Sequence, residues 1–261
     1  MSEELFVTLS VEAPAGIITI NRPKALNALN PQVLDQLEAC LRQAASDPAV
    51  AGVIITGAGG KAFVAGADIG TMAHMAPEEG LAFAEKGLAV LALIENIPKP
   101  VLAAVDGYAL GGGCELALAC DMIYASEGSS FGQPEVNLGI IPGFGGTQRL
   151  ARLVGRNLAK EICFSGNMYT AQRAKEMGLV QEVLPKEGLL PHCLQLVRTI
   201  AKKGPLAVAQ AKRAINQGVD LSLSAGLWVE KLAFMSLFGS KDQVEGMTAF
   251  IEKRKPEFRG R

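Results

Sequence analysis

The chain has 261 residues, of which 49% are hydrophobic and 20% charged, so it can bury a large core and is not a disordered chain. Twenty-five Lys and Arg balance 26 Asp and Glu for a net charge of −1, which argues against a dedicated nucleic-acid binder. Five widely spaced cysteines with no C-x-x-C pair point away from a disulfide framework or a cysteine zinc site and towards reduced thiols in a cytosolic protein. The opening Met-Ser-Glu-Glu-Leu-Phe lacks the features of a signal peptide, and no apolar run reaches membrane-spanning length.

Taken in chain order, residues 5–11 and 16–20 are β-branched-rich runs around Ala-Pro-Ala-Gly, a predicted hairpin. Asn30-Pro31 signals a helix start, and apolar positions 33, 34, 37, 40, 41 and 44 carry the helical period to Asp47-Pro48. Residues 52–56 and 101–105 read as buried strands, with a long helix over 77–96 between them. A short helix opens at Gly111–Gly113 and runs to about Ala119, and 122–125 is another strand. Beyond 144 the pattern is mostly helical, with a strand near 180–183 and helices at 187–203, 205–217, 222–238 and 241–253. This alternation indicates an α/β core, residues 1–195, followed by a helical C-terminal region, 196–261.

Neither Gly57-Ala58-Gly59-Gly60 nor Gly143-Phe144-Gly145-Gly146 completes a dinucleotide fingerprint, and Gly60-Lys61 is followed by alanine, so there is no P-loop. Gly128-Ser129-Ser130-Phe131-Gly132 matches G-x-S-x-G, but a nucleophile elbow needs a helix directly after the serine, and Pro134 and Pro142 follow instead. Of the two histidines, His192 could serve as a base, yet no aspartate lies between Ser130 and it; His74 reads as a surface or pocket-wall residue.

The informative stretch is 101–149. Glu115 stands in an apolar helix, and Glu135 is flanked by Val136 and Leu138. A carboxyl among apolar neighbours has a raised pKa, which suits acid–base work near neutral pH. A solvated helix-edge Glu115 and a surface-loop Glu135 fit the composition equally well. Gly112 sits at a helix start, where a free N–H and the helix dipole can hold a developing oxyanion, and Ala67 in Gly66-Ala67-Asp68 could supply a second donor.

Six blocks, in order, resemble the enoyl-CoA hydratase (crotonase) family over essentially the whole chain: residues 21–29, 62–69, 107–116, 131–135, 141–150 and 250–255. The resemblance implies a spiral of ββα units with a helical trimerisation region, assembled as a trimer or dimer of trimers. It implies an oxyanion hole from the N–H groups of Ala67 and Gly112, with Glu115 activating water for attack at the substrate β-carbon and Glu135 handling the α-carbon proton. Coenzyme A would lie along Lys24, Ala25 and Leu26, with Ala65, Asp68 and Ile69 holding it through backbone contacts, and with Phe250 and Lys253 reaching a neighbouring subunit's site. No cofactor and no metal are implied; coenzyme A is part of the substrate.

The activity so implied is reversible hydration of short- to medium-chain 2-trans-enoyl-CoA. Alternatives are a 3-hydroxybutyryl-CoA dehydratase or an isomerase of the family, or a CoA- or RNA-binding relative with incidental hydratase activity. Phe144 stands where the family often has a small residue, near the acyl pocket, and the segment 70–96 (Met72, His74, Met75, Phe83) is expected to wall that pocket.

Overall fold

The structure is a computed structural model that describes residues 4–261. The chain opens with β1 (Val7–Glu12), β2 (Ala15–Ile20), a 3₁₀ turn at Pro23–Ala25, α1 (Pro31–Ser46), β3 (Gly52–Gly57) and β4 (Ala62–Ala65). It continues through α2 (Ile69–Met72), α3 (Pro77–Asn96), β5 (Val101–Val105), β6 (Tyr108–Leu110), α4 (Gly112–Ala119), β7 (Met122–Ser126) and β8 (Ser130–Gly132). After a second 3₁₀ turn at Pro134–Leu138 come α5 (Gly146–Val154), α6 (Arg156–Ser165), β9 (Tyr169–Thr170), α7 (Ala171–Glu176) and β10 (Glu182–Leu184). The chain ends in α8 (Lys186–Ile200), α9 (Pro205–Gly218), α10 (Leu223–Leu237) and α11 (Lys241–Ile251).

Among the described residues, ten strands form two sheets. The larger runs β1-β2-β3-β5-β7-β10, with β1 and β2 antiparallel and the rest parallel. Its central strands are apolar on both faces because both faces are covered. Successive side chains alternate faces: Val53 and Ile55 of β3, with Val101, Ala103 and Val105 of β5, join the main core with α1 and α3. Ile54, Leu102 and Ala104 point the other way, onto Leu189, Cys193, Leu194 and Val197 of α8.

The first helix forms as its sequence predicts. The Asn30 side chain accepts the Val33 N–H at 2.8 Å, Pro31 takes the first helical position, and Val33, Leu34, Leu37, Leu41 and Ala44 bury one face.

The smaller sheet, β4-β6-β8-β9, is built from strands of two to four residues. Its first three strands are parallel, with Ala65, Leu110 and Gly132 abreast at their carboxyl ends. None of the four carries enough residues to show an alternation, and none is predicted from the sequence. This sheet also disposes of the serine-hydrolase reading. Ser130 opens β8, no α-helix follows it, and the Ser129 hydroxyl is held by the Val105 carbonyl at 2.9 Å in the turn between strands.

Among the described residues, no helix is long and apolar enough to cross a membrane, and no group of three His, Cys, Asp or Glu side chains could hold a metal ion.

Candidate active site

Three parallel strands of the small sheet end side by side, and each delivers one part of a single pocket. Ligands in parallel α/β sheets bind beyond the carboxyl ends of the strands, and the same logic operates here. Beyond Ala65 at the end of β4 comes Ala67; beyond Leu110 at the end of β6 comes Gly112; beyond Gly132 at the end of β8 come Gln133 and Glu135.

The Ala67 N–H is freed by a parallel bridge on its other side. Leu29 donates to the Gly66 carbonyl at 2.9 Å and accepts from the Asp68 N–H at 2.7 Å, so the intervening Ala67 N–H points away and has no acceptor among the described residues. The Gly112 N–H is the first of α4 and is likewise unmatched. The two lie close together, since a β-carbon built on Gly112 would stand 3.5 Å from the Ala67 nitrogen.

Two neighbouring glycines make this arrangement possible. Gly111 has φ +49°, and a side chain there would come within 2.7 Å of Glu135 Oε1. A β-carbon on Gly113 would overlap the Val64 carbonyl, so the start of α4 can press against β4 only with glycine at that position.

Glu115 and Glu135 face this pocket from different supports. Glu115 is 2% exposed. Its Oε1 accepts the Phe144 N–H at 2.7 Å and the Gly146 N–H at 2.6 Å, and Oε2 has no donor among the described residues. Burial pushes its carboxyl above the ordinary range, while the Gly146 and Phe144 N–H groups and the Arg149 charge oppose that shift.

Glu135 is the second residue of the 3₁₀ turn after β8 and is half-buried. Burial pushes it up to about 7; its own backbone N–H opposes the shift, and the Glu115 charge adds to it. The solvated helix-edge and surface-loop alternatives for these two residues do not hold. The two carboxyls share one pocket, and burial raises both.

The cavity has a volume of about 320 Å³ and is walled mainly by apolar groups, among them Ile69, Met72, Phe83, Leu138, Ile141 and Phe144. Ala65, Ala67, Gly112, Glu115 and Glu135 all line it. Of the segment expected to form a wall, Met72 and Phe83 do so; His74 is exposed and Met75 packs against the core.

Lys24, Ala25 and Leu26 lie beside this pocket, on the first 3₁₀ turn and its left-handed exit at Leu26 and Asn27. The Leu26 carbonyl accepts the Ala65 N–H at 3.0 Å, tying the turn to the pocket rim. Asn27 is fully buried and locks the loop, accepting the Arg22 N–H and donating to the carbonyls of Ala58 and Ala62. A cleft of about 270 Å³ opens along Lys24 and Leu26. The Asp68 side chain is committed to Arg22 at 2.8 Å, which holds its carboxyl below the usual range, and it also caps α2, while its backbone N–H donates to the Leu29 carbonyl and its own carbonyl accepts the Thr71 and Met72 N–H groups.

Phe250 and Lys253 are not brought to the pocket of their own chain. Phe250, on α11, is 85% exposed, and neither residue lines the cavity.

Two supports were not singled out from the sequence. Gln133 is fully buried, and with its amide turned so that the nitrogen faces Glu135, the orientation that satisfies its hydrogen bonding, it donates to both carboxyl oxygens, at 3.0 and 3.2 Å. Arg149 forms a two-point ion pair with Glu95 at 2.6 and 2.8 Å, and its Nη1 donates to the Phe144 carbonyl at 2.7 Å. Gln133 stands two residues from Glu135, and that proximity was a usable signal. Glu95 and Arg149 are 54 residues apart, and no local pattern connects them.

Residues 12–261 match the family model described as enoyl-CoA hydratase/isomerase. The chain is 47% identical to a crotonyl-CoA hydratase of Syntrophomonas wolfei, across 97% of each chain. It is also 47% identical to a short-chain-enoyl-CoA hydratase of Clostridium acetobutylicum, across 96% of each. Among solved structures, an enoyl-CoA hydratase from Bacillus anthracis superimposes with a TM-score of 0.94 at 41% identity, covering 98% of this chain and all of that one. The chain, with its two sheets and C-terminal helices, thus has the crotonase fold. On sequence and fold together, this chain belongs to the enoyl-CoA hydratase/isomerase family.

Proposed function

We propose that the chain is an enoyl-CoA hydratase, a hydro-lyase that reversibly adds water to short- to medium-chain 2-trans-enoyl-CoA to give 3-hydroxyacyl-CoA. The observation that carries this reading is the pairing of two unmatched N–H donors with two carboxyls, Glu115 and Glu135, in one apolar pocket.

Adding water across a conjugated thioester moves charge onto the thioester oxygen as an enolate forms. The N–H groups of Ala67 and Gly112 point into the pocket without a protein acceptor, so that oxygen meets donors already in place; losing one such donor slows related reactions by about 10²–10³. Glu115, anchored through Oε1, presents Oε2 to the water that attacks the substrate β-carbon. Glu135, still partly protonated at neutral pH, delivers its proton to the α-carbon. In the dehydration direction the roles reverse. The apolar walls exclude bulk water, which strengthens both effects.

The coenzyme A portion would run from the pocket rim along Lys24, Ala25 and Leu26, held by backbone groups at Ala65, Asp68 and Ile69. The lysine supplies a point charge for a phosphate. The protein would work as a homo-oligomer, a trimer or a dimer of trimers, in the cytoplasm. In support, residues 196–261 hold the largest run of uncovered apolar side chains: Leu223, Trp228, Phe234 and Met235 on α10, and Phe250 and Ile251 on α11. A monomer leaves so large an apolar face exposed only at a disadvantage. Phe250 and Lys253 would then complete a neighbour's coenzyme A site, and all five cysteines are free thiols, as a reducing compartment requires.

The test is the absorbance of the conjugated thioester when protein is mixed with crotonyl-CoA and then with longer 2-enoyl-CoAs. Rapid loss is expected. Saturable binding of every thioester with no loss at any length would reject hydration and leave isomerisation to be assayed.

A further inference from the structure

We propose that Phe144 sets the acyl length the pocket accepts, and that overlong chains are rejected by disturbing the base that Phe144 holds. The inference rests on the hydratase reading above and deepens it.

The Phe144 ring closes the pocket beside the reacting centre. One edge lies 3.5 Å from where a β-carbon on Gly112 would stand, next to the donor pair. The other side fills the gap that α3 leaves at Gly87, where an added β-carbon would overlap the ring. Phe83, one turn earlier on α3, packs against it edge to face with ring centres 5.2 Å apart. The side chain is only 4% exposed although it lines the cavity, so it is a wall, not a flap.

The backbone of the same residue does different work. Its N–H holds Glu115 Oε1 at 2.7 Å, and its carbonyl is gripped by Arg149, whose partner Glu95 lies on α3 with Phe83 and Gly87. Ring and backbone are therefore fixed to the same helix. An acyl chain that needs the ring to leave Gly87 must also strain the segment that aims Glu115. Short chains react with the ring in place. Longer ones bind by displacing it, and they lose turnover more than affinity.

The experiment measures kcat and KM for wild-type protein with crotonyl-CoA and straight-chain homologues lengthened two carbons at a time. In the wild type, kcat is expected to fall with length while KM changes little. Phe144→Ala should raise the long-to-short ratio of kcat/KM by about tenfold or more, the scale of pocket discrimination per methylene. Phe144→Leu, which retains more of the core volume, should move the ratio the same way by less and decides the matter if the alanine variant does not fold. Gly87→Ala should push the ring into the pocket and sharpen the preference for short chains, and that effect should vanish on the Phe144→Ala background.

A wild-type length ratio in a folded, crotonyl-CoA-hydrating Phe144 variant would overturn the proposal. So would an unchanged ratio in Gly87→Ala. A wild-type protein that hydrates no enoyl-CoA would instead reject the hydratase reading beneath it.

Discussion

The two sheets of this molecule do different jobs with different materials. The six-stranded sheet has apolar central strands packed on both faces, against α1 and α3 on one side and α8 on the other. The four-stranded sheet is short, rich in small residues, and spends its carboxyl ends on Ala67, Gly112 and Glu135. One sheet is a source of stability and the other a jig that sets three chain segments abreast. Parallel strands sit about 4.8 Å apart, so neighbouring strand ends bring two N–H groups within reach of a single oxygen.

If that division is right, changes at the small sheet's ends should damage turnover with little effect on folding. Glu135→Gln is expected to lower kcat for crotonyl-CoA hydration by about 10²–10⁴, the range for loss of a positioned acid, with coenzyme A affinity kept. Glu115→Gln should fall in the same range, while the two N–H donors at its Oε1 remain able to bind an amide oxygen. Unchanged kcat in either variant would remove that carboxyl from the reaction.

The reverse experiment targets the large sheet. Leu102 is fully buried on the α8 face, turned away from the pocket. Leu102→Ala should lose about 2–5 kcal/mol of stability in denaturant unfolding while the folded fraction keeps wild-type kcat and KM. A large kcat loss in fully folded Leu102→Ala protein would mean the sheets are not separable in this way.

The same contrast explains what was legible in the sequence. Residues 52–56 and 101–105 announce themselves because a strand buried on both faces must be apolar throughout. The observed β3 and β5 span Gly52–Gly57 and Val101–Val105. The hairpin, α1, α3 and the four C-terminal helices likewise fall within a few residues of their predicted bounds, since each carries several turns or a cap.

Nothing comparable marks β4, β6, β8 or β9. Ala62–Ala65 and Tyr108–Leu110 are too short for a period, and they are held as strands by neighbours distant in sequence. The site was nevertheless partly readable, because its chemistry lies in the breaks after these strands: glycines at 111–113 and lone carboxyls among apolar residues. Those signals gave candidates but no geometry. The residues were joined into a site by the resemblance to a known family, and Arg149 and Gln133 emerged only with the fold.

Arg149 is the strongest link between the two regions, because it ties α3 to the loop that holds Glu115. Arg149→Met should lower kcat about tenfold to a hundredfold, as misplacement of a reacting group does, with KM nearly unchanged. Arg149→Lys keeps the charge but not the two-point geometry, and it should recover only part of that loss. Full activity in Arg149→Met would show that the Phe144–Gly146 loop holds its shape without the guanidinium.

The smallest expected effect concerns Glu135 as a charge. Its carboxyl lies at about 7 against an ordinary value near 4.5 because the folded pocket strips water from it. Below the ordinary value both folded and unfolded chains hold the proton, and the residue makes no pH-dependent contribution. Between the two values the unfolded chain ionises while the folded chain does not, so stability is lost as pH rises, and the loss levels off above about 7. Glu135→Gln has no proton to lose. Its Tm should therefore rise relative to wild type across that window and run parallel outside it. The pocket's partial opening to solvent keeps the difference modest. The same ionisation should make wild-type hydration fall as pH climbs through about 7, since the proton donor is then spent. A Tm difference between the two proteins that stays constant from acid to alkaline pH would place Glu135 in water, and the assignment of acid and base in this pocket would have to be exchanged or abandoned.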